Sequence, residues 1–133
     1  MPKEHRLTSA RDFKAVFARG RPYAHGLVIV KVLRSSPAQP SRFAFSTSAK
    51  LGKPVARNRA KRLLREAVRL LGDRIVQQGY DAVLIARPPV REAGVAEVSQ
   101  AVQELLRKAG LIQAENVEQP GSRSSSLREF PQP

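Results

Sequence analysis

Residues 49–69 read Ala49-Lys50-Leu51-Gly52-Lys53-Pro54-Val55-Ala56-Arg57-Asn58-Arg59-Ala60-Lys61-Arg62-Leu63-Leu64-Arg65-Glu66-Ala67-Val68-Arg69. Ala56, Ala60, Leu63, Leu64, Ala67 and Leu71 recur at i, i+4, i+7, i+8, i+11 and i+15, which is one apolar stripe on a helix. Pro54 suits the first helical turn, and Gly72 suits the stop. The remaining faces are cationic. Arg57, Lys61 and Arg65 fall at i, i+4 and i+8, Asn58, Arg62 and Arg69 line the neighbouring rows, and Glu66 is the sole acid. Like charges at i, i+4 destabilise a helix by roughly 0.2–0.5 kcal/mol per pair. A helix built only for structure would alternate Glu with Lys. This one carries a cost that a polyanionic partner relieves.

Working outward, the same spacing rules predict the order α-β-β-α-β-α. Residues 1–7 read as a basic, mobile arm. Thr8 or Ser9 can cap a first helix, on which Ala10, Phe13, Val16 and Phe17 share a face. Gly20 and Pro22 end it. Residues 27–33 (LVIVKVL) and 42–48 (RFAFSTS) read as strands, the second with Phe43, Phe45 and Thr47 on one face and Ala44, Ser46 and Ser48 on the other. Asp73 to Gln78 allow a short turn after the basic helix. Residues 80–86 (YDAVLIA) form a nearly continuous apolar run, expected to be a central strand covered on both faces. Pro88 and Pro89 end it. Val95, Val98, Val102, Leu105, Leu106 and Ala109 mark a last amphipathic helix closed by Gly110. The expectation is an α+β domain over 1–113, one layer of helix against one small sheet. Residues 114–133 are too polar to offset their ordering entropy and read as a disordered tail.

The charge is concentrated. Of 133 residues, 24 are Lys or Arg and 11 are Asp or Glu, a net charge of +13. Residues 1–69 hold 17 of the cations and 3 of the acids, and residues 70–113 hold 5 of each. A localised excess of this size repels itself in the compact state unless a polyanion neutralises it. Nucleic acid is the commonest such partner. An anionic membrane surface fits less well, because the basic helix spends its apolar stripe on the sheet and offers no Trp or Phe to insert. No apolar run approaches the ~20 residues that span a bilayer. The polar N-terminal stretch lacks the apolar core of a secretion signal, so a cytoplasmic address is expected. The absence of cysteine excludes a disulfide framework, a thiol nucleophile and a Cys-ligated zinc. His5 and His25 have no second His or carboxylate at ligand spacing, and no paired carboxylates or phosphate-binding Gly loop stand out. No catalytic residue, metal ligand or small-molecule substrate is therefore expected of the protein.

The residue types on the basic helix suit a nucleic acid, and charge alone does not tell RNA from DNA. Arg presents a planar fork to two phosphate oxygens at once, Lys is a mobile point charge, and Asn can read a base edge or a 2′-hydroxyl. The helix start adds free N–H groups and the positive end of the dipole beside Lys50 and Lys53.

The stretch from Lys50 to Glu66, with its Arg57-Asn58-Arg59 core followed by Lys61, Arg62 and Arg65, closely resembles the signature of the bacterial ribonuclease P protein family. Arg6 to Phe13 with Val16, Phe17 and Gly20, Phe45 to Ser48, and Tyr80 to Pro88 resemble other parts of that family, and the likeness spans about residues 3–112. The resemblance implies a ribosomal protein S5 domain 2-like fold with a left-handed βαβ crossover. It implies an accessory subunit whose partners are a catalytic RNA, which uses Mg2+, and precursor tRNA, from which the 5′ leader is removed. Carried over, Lys50, Lys53, Arg57, Asn58, Arg59, Lys61, Arg62 and Arg65 would contact the RNA. Phe13, Phe17, Lys31, Ser46 and Ser48 would line a cleft for the single-stranded leader. Lys31 stands where the family often has an aromatic, and Ala49 where it often has a second Lys. A ribosomal-type or RNA-chaperone protein, binding structured RNA without a cleavage role, is the alternative.

Overall fold

The computed structural model describes residues 3–112. Three helices and four strands follow in the order α1 (Ala10–Arg19), β1 (Arg21–Ala24), β2 (Val28–Arg34), β3 (Arg42–Thr47), α2 (Pro54–Leu71), β4 (Tyr80–Ala86) and α3 (Val95–Lys108). The sheet order is β1-β2-β4-β3. β4 runs antiparallel to β2, with Val30 opposite Leu84, and parallel to β3, with Phe45 opposite Leu84. The β3–α2–β4 crossover thus places the basic helix between two adjacent strands. β4 is central, as its apolar run implied: Ala82, Val83 and Leu84 are wholly buried.

Three expectations need correction, two of them in the sheet. The sheet gains a strand, β1, which pairs antiparallel with β2 over residues 21–24. The Arg-Pro-Tyr-Ala stretch looked like the end of a helix because it is short and contains Pro22. Proline is tolerated on an edge strand, where no ladder bond is lost on the outer side. Helices also cover both faces instead of one. Val28, Val30, Val32, Phe43, Ala82, Leu84 and Ala86 pack with α2 and α3, while Val83 packs with Val16 of α1 and Leu7, beside Leu33, Ala44 and Ile85. The strands alternate between the two cores because successive side chains point to opposite faces.

Within α2 the buried set is Ala60, Leu63, Leu64, Ala67, Val68 and Leu71. This is the stripe read from the sequence with Val68 added and Ala56 half-buried at its start. Ser9 caps α1 by accepting the Asp12 N–H at 3.3 Å. Gly20 ends α1 for a steric reason: a Cβ there would stand 2.4 Å from the Val16 carbonyl oxygen. The N-terminal segment is not a free arm. Leu7 is buried, its N–H bonds the Phe43 carbonyl at 2.9 Å, and His5 Nδ1 lies 2.6 Å from the Ser41 carbonyl oxygen. The apolar Leu7 decided this, filling the gap between α1 and β3. The expected tail at 114–133 lies outside the described residues.

A partly buried polar bridge also ties α1 to the sheet. Arg42 of β3 donates to both carboxylate oxygens of buried Asp81 on β4, at 2.9 and 2.7 Å, and to Asp12 of α1 at 3.2 Å. The hydrogen bonds to Asp81 first, and the neighbouring negative charges after them, hold the Arg42 pKa above its ordinary value.

Candidate nucleic-acid interface

The basic surface begins just after β3. Ser48 closes a tight 3-10 turn at Ala49–Leu51 by accepting the Lys50 N–H at 3.2 Å, and its own N–H bonds the Ala86 carbonyl at 2.9 Å. Ser48 therefore fixes the loop that carries Lys50. Gly52 follows with φ +129°, a conformation other residues rarely adopt. Leu51 is buried, which anchors the loop and leaves Lys50 and Lys53 exposed. Lys53 is the N-cap of α2 with no side-chain cap, and Pro54 occupies the first turn. The helix start presents N–H groups and positive dipole between two lysines.

Along α2, Asn58, Arg59, Arg62 and Arg65 are exposed, and Arg57 and Lys61 are half-buried. Among the described residues, Lys50, Lys53, Arg57, Lys61, Arg62 and Arg65 form no ion pair with a carboxylate. Six cations thus lie uncompensated over one loop and three helical turns. Arg59 differs. Its guanidinium donates to the Ala93 carbonyl at 3.0 Å and the Val90 carbonyl at 3.4 Å, tying α2 to the turn after β4. Arg65 lies 5.7 Å from the centroid of the Phe45 ring. Glu66 is held by Arg69 at 2.9 Å, and that bond keeps its pKa below the usual carboxylate range.

The expected leader residues divide between two surfaces. Phe13 and Phe17 stack at 6.0 Å with 16° between their planes. Phe17 is 45% exposed, unlike a core residue, and faces Lys31, whose ammonium lies 3.9 Å from the ring centroid. Lys31 is on the sheet face covered by α1, since its register partner is Val83. Ser46, half-buried, pairs in register with Ile85 on the same face. Phe17, Lys31 and Ser46 are thereby grouped on the α1 side, with Ser48 two residues beyond Ser46 on the chain. Phe13 packs on the same α1-side cluster and also lines a groove over the β3 edge, shared with Arg62 and Arg65. The α2 cations and the α1 cleft lie on opposite sides of the sheet, joined around its β3 edge.

Four arginines were given no place in the site by the sequence. Arg6 and Arg69 line the groove with Arg62 and Arg65. Arg87 donates to the His25 carbonyl in the β1–β2 turn and Arg91 to the Leu51 carbonyl in the loop before α2, each at 3.0 Å. Their spacing carries no helical period, so only the charge beside Pro88 and Pro89 could have marked them. Among the described residues no group of three or more His, Cys, Asp or Glu side chains could hold a metal ion. Among them, too, no helix is long and apolar enough to cross a membrane.

A small α+β sheet with a parallel crossover helix that displays, among the described residues, unpaired Arg and Lys beside Asn fits a small nucleic-acid-binding protein. The Ribonuclease P family model matches residues 1–110. The chain belongs to the ribonuclease P protein family. It is 48% identical over 115 residues to the ribonuclease P protein component of Symbiobacterium thermophilum, covering 86% of this chain and 99% of that one. It is 40% identical over 112 residues to that of Dehalococcoides mccartyi, covering 84% and 90%. Among solved structures, the RNase P protein of Thermotoga maritima superimposes with a TM-score of 0.68 at 27% identity, covering 77% of this chain and 96% of that one. That of Staphylococcus aureus superimposes with a TM-score of 0.72 at 25% identity, covering 84% and 100%.

Proposed function

We propose that the protein acts in the cytoplasm by binding the catalytic RNA of ribonuclease P through α2 and the 5′ leader of precursor tRNA through the α1 cleft. The observation that carries this reading is the run of six unpaired cations from Lys50 to Arg65 in a chain of this family. Those side chains neutralise phosphates, and released counterions drive association. Asn58 adds a donor and an acceptor for a base edge or a 2′-hydroxyl. Phe17 offers an exposed ring face for a leader base, and Lys31 a cation for the neighbouring phosphate. The protein positions RNA and lowers the repulsion between RNA strands, while the RNA, with Mg2+, breaks the bond.

The test is precursor-tRNA cleavage by a bacterial ribonuclease P RNA at low magnesium. Added protein should lower the magnesium needed for cleavage, and more strongly for substrates with a leader than for those trimmed to a stub. Cleavage unchanged by folded protein at every magnesium concentration rejects the reading. It would then favour a protein that binds structured RNA without a cleavage role.

A further inference from the structure

A groove of about 790 Å3 runs over the outer edge of the sheet, between α2 and the N-terminal segment. Its floor is β3 at Phe43, Ala44 and Phe45. Phe13 enters from α1, while Arg62, Arg65 and Arg69 stand along α2 and Arg6 along the other wall. Glu66 is the one carboxylate in the lining, and Arg69 already engages it. The volume falls within the ~300–1,000 Å3 of small-ligand sites. Phe17, Lys31, Ser46 and Ser48 do not line the groove, which meets the leader cleft at Phe13 alone.

Its chemistry combines aromatic rings with guanidinium forks. Aromatic rings stack with bases of any identity, and guanidinium forks bind phosphate in two-pronged fashion. Arg65 above Phe45 shows that the ring face admits a planar group. An added peptide strand suits the site less well. The N–H of Leu7 already occupies the Phe43 carbonyl, and the Arg6–Phe43 bridge runs parallel to β3 there, so the edge is taken along that stretch.

We propose that this groove receives one unpaired nucleotide of the RNA partner, with its base against Phe13 and Phe45 and its phosphate on Arg62. The proposal rests on the reading of α2 as an RNA-binding helix, because Arg62 and Arg65 serve both surfaces. It makes β3, and not only α2, part of the RNA interface.

The full chain, isotopically labelled and free of RNA, is titrated by NMR with millimolar adenosine 5′-monophosphate. Saturable shifts at the Phe13 and Phe45 rings and the Arg65 Nε–H, with contacts between base protons and Phe45, are expected. Phe45→Leu should weaken this binding about tenfold. Tyr23→Leu, on the opposite edge strand β1 and outside the groove, should leave it unchanged. If Phe45→Leu fails to fold, Arg62→Gln, on an exposed side chain in none of the ion pairs among the described residues, should weaken it severalfold. Inorganic phosphate and tetraglutamate serve as competing probes. An equal response to phosphate alone would reduce the groove to an anion site and overturn the proposal. A stronger response to tetraglutamate would assign the groove to acidic peptide. Shifts confined to Phe17 and Lys31, or none, also reject it. A silent titration leaves the cleavage result standing. Nucleotide binding here with cleavage unaffected would keep the groove and remove the subunit role.

Discussion

The Lys31 ammonium lies 3.9 Å from the centroid of the Phe17 ring and donates at 2.9 Å to the Phe17 carbonyl. One side chain thus closes the last turn of α1 and holds an exposed aromatic in place. The helix C-terminus favours a cation there, and the ring face favours it again. Lys31 therefore braces Phe17 as well as offering charge to a phosphate. Lys31→Met should lower the melting temperature by a few degrees, since an exposed cation–π contact is worth about 0.5–1 kcal/mol. It should also reduce the salt slope of single-stranded leader binding by roughly 0.7. Calorimetry together with leader titrations at several salt concentrations checks both. An unchanged slope would mean that Lys31 serves α1 alone.

Arg59 and Arg65 stand on the same helix but do different work. Among the described residues Arg65 meets no carboxylate or carbonyl partner, whereas Arg59 holds Val90 and Ala93. Arg65→Ala and Arg57→Ala should each reduce the salt slope of RNA binding by about one unit with little change in stability. Arg59→Ala should instead destabilise the fold by about 1.5 kcal/mol, because hydrogen bonds from a charged donor are stronger than neutral ones. Thermal melts and RNA titrations of the three variants distinguish the roles. Equal melting temperatures would show the Arg59 contacts to be energetically idle.

Arg42 is the clearest stability prediction. Arg42→Met leaves Asp81 buried and unpaired, and breaking such a pair costs about 3 kcal/mol. Asp12→Asn keeps the Arg42–Asp81 bonds and should cost well under half of that. The raised pKa of Arg42 places the loss of its contribution in the strongly alkaline range, as pH rises through the folded-state value, so both differences should hold flat across neutral pH. Denaturant unfolding of the two variants measures this. Equal costs would place the main bond with Asp12.

The periodic elements were legible because burial repeats along them. The bounds of α2 and the central place of β4 follow from single apolar stripes or runs. The same residues, Arg57 to Arg65, carried the family likeness, since charge at helical spacing survives as pattern. What escaped was non-periodic. β1 has only Tyr23 partly buried among four residues, too little to mark a strand. The placement of α1 on the second sheet face depends on Leu7, Val16 and Val83, which lie far apart in sequence. The groove joins Arg6, Phe13, Phe45 and Arg69 from four segments, and no spacing rule unites them. The anchoring role of Arg59 was hidden for the same reason, because its partners lie 31 and 34 residues away.

Gly20 separates steric need from conformational need. Its φ of −68° is open to any residue, yet a Cβ would meet the Val16 carbonyl oxygen at 2.4 Å and Lys31 Cβ at 3.3 Å. The first is backbone inside α1 and cannot swing away. The Gly20 N–H also bonds that same carbonyl at 2.7 Å, so any shift strains the helix end. Gly20→Ala should therefore destabilise by about 1–3 kcal/mol, the range of overpacked sites. It should also displace Lys31 from Phe17, weakening leader binding. Gly26→Ala is the control. A Cβ at Gly26 meets nothing within 4 Å, so the change should be neutral or slightly stabilising through the unfolded state. Paired melts decide the matter: equal effects at the two glycines would show that α1 yields to the added methyl, and the close approach at Gly20 would then exert no control over Phe17.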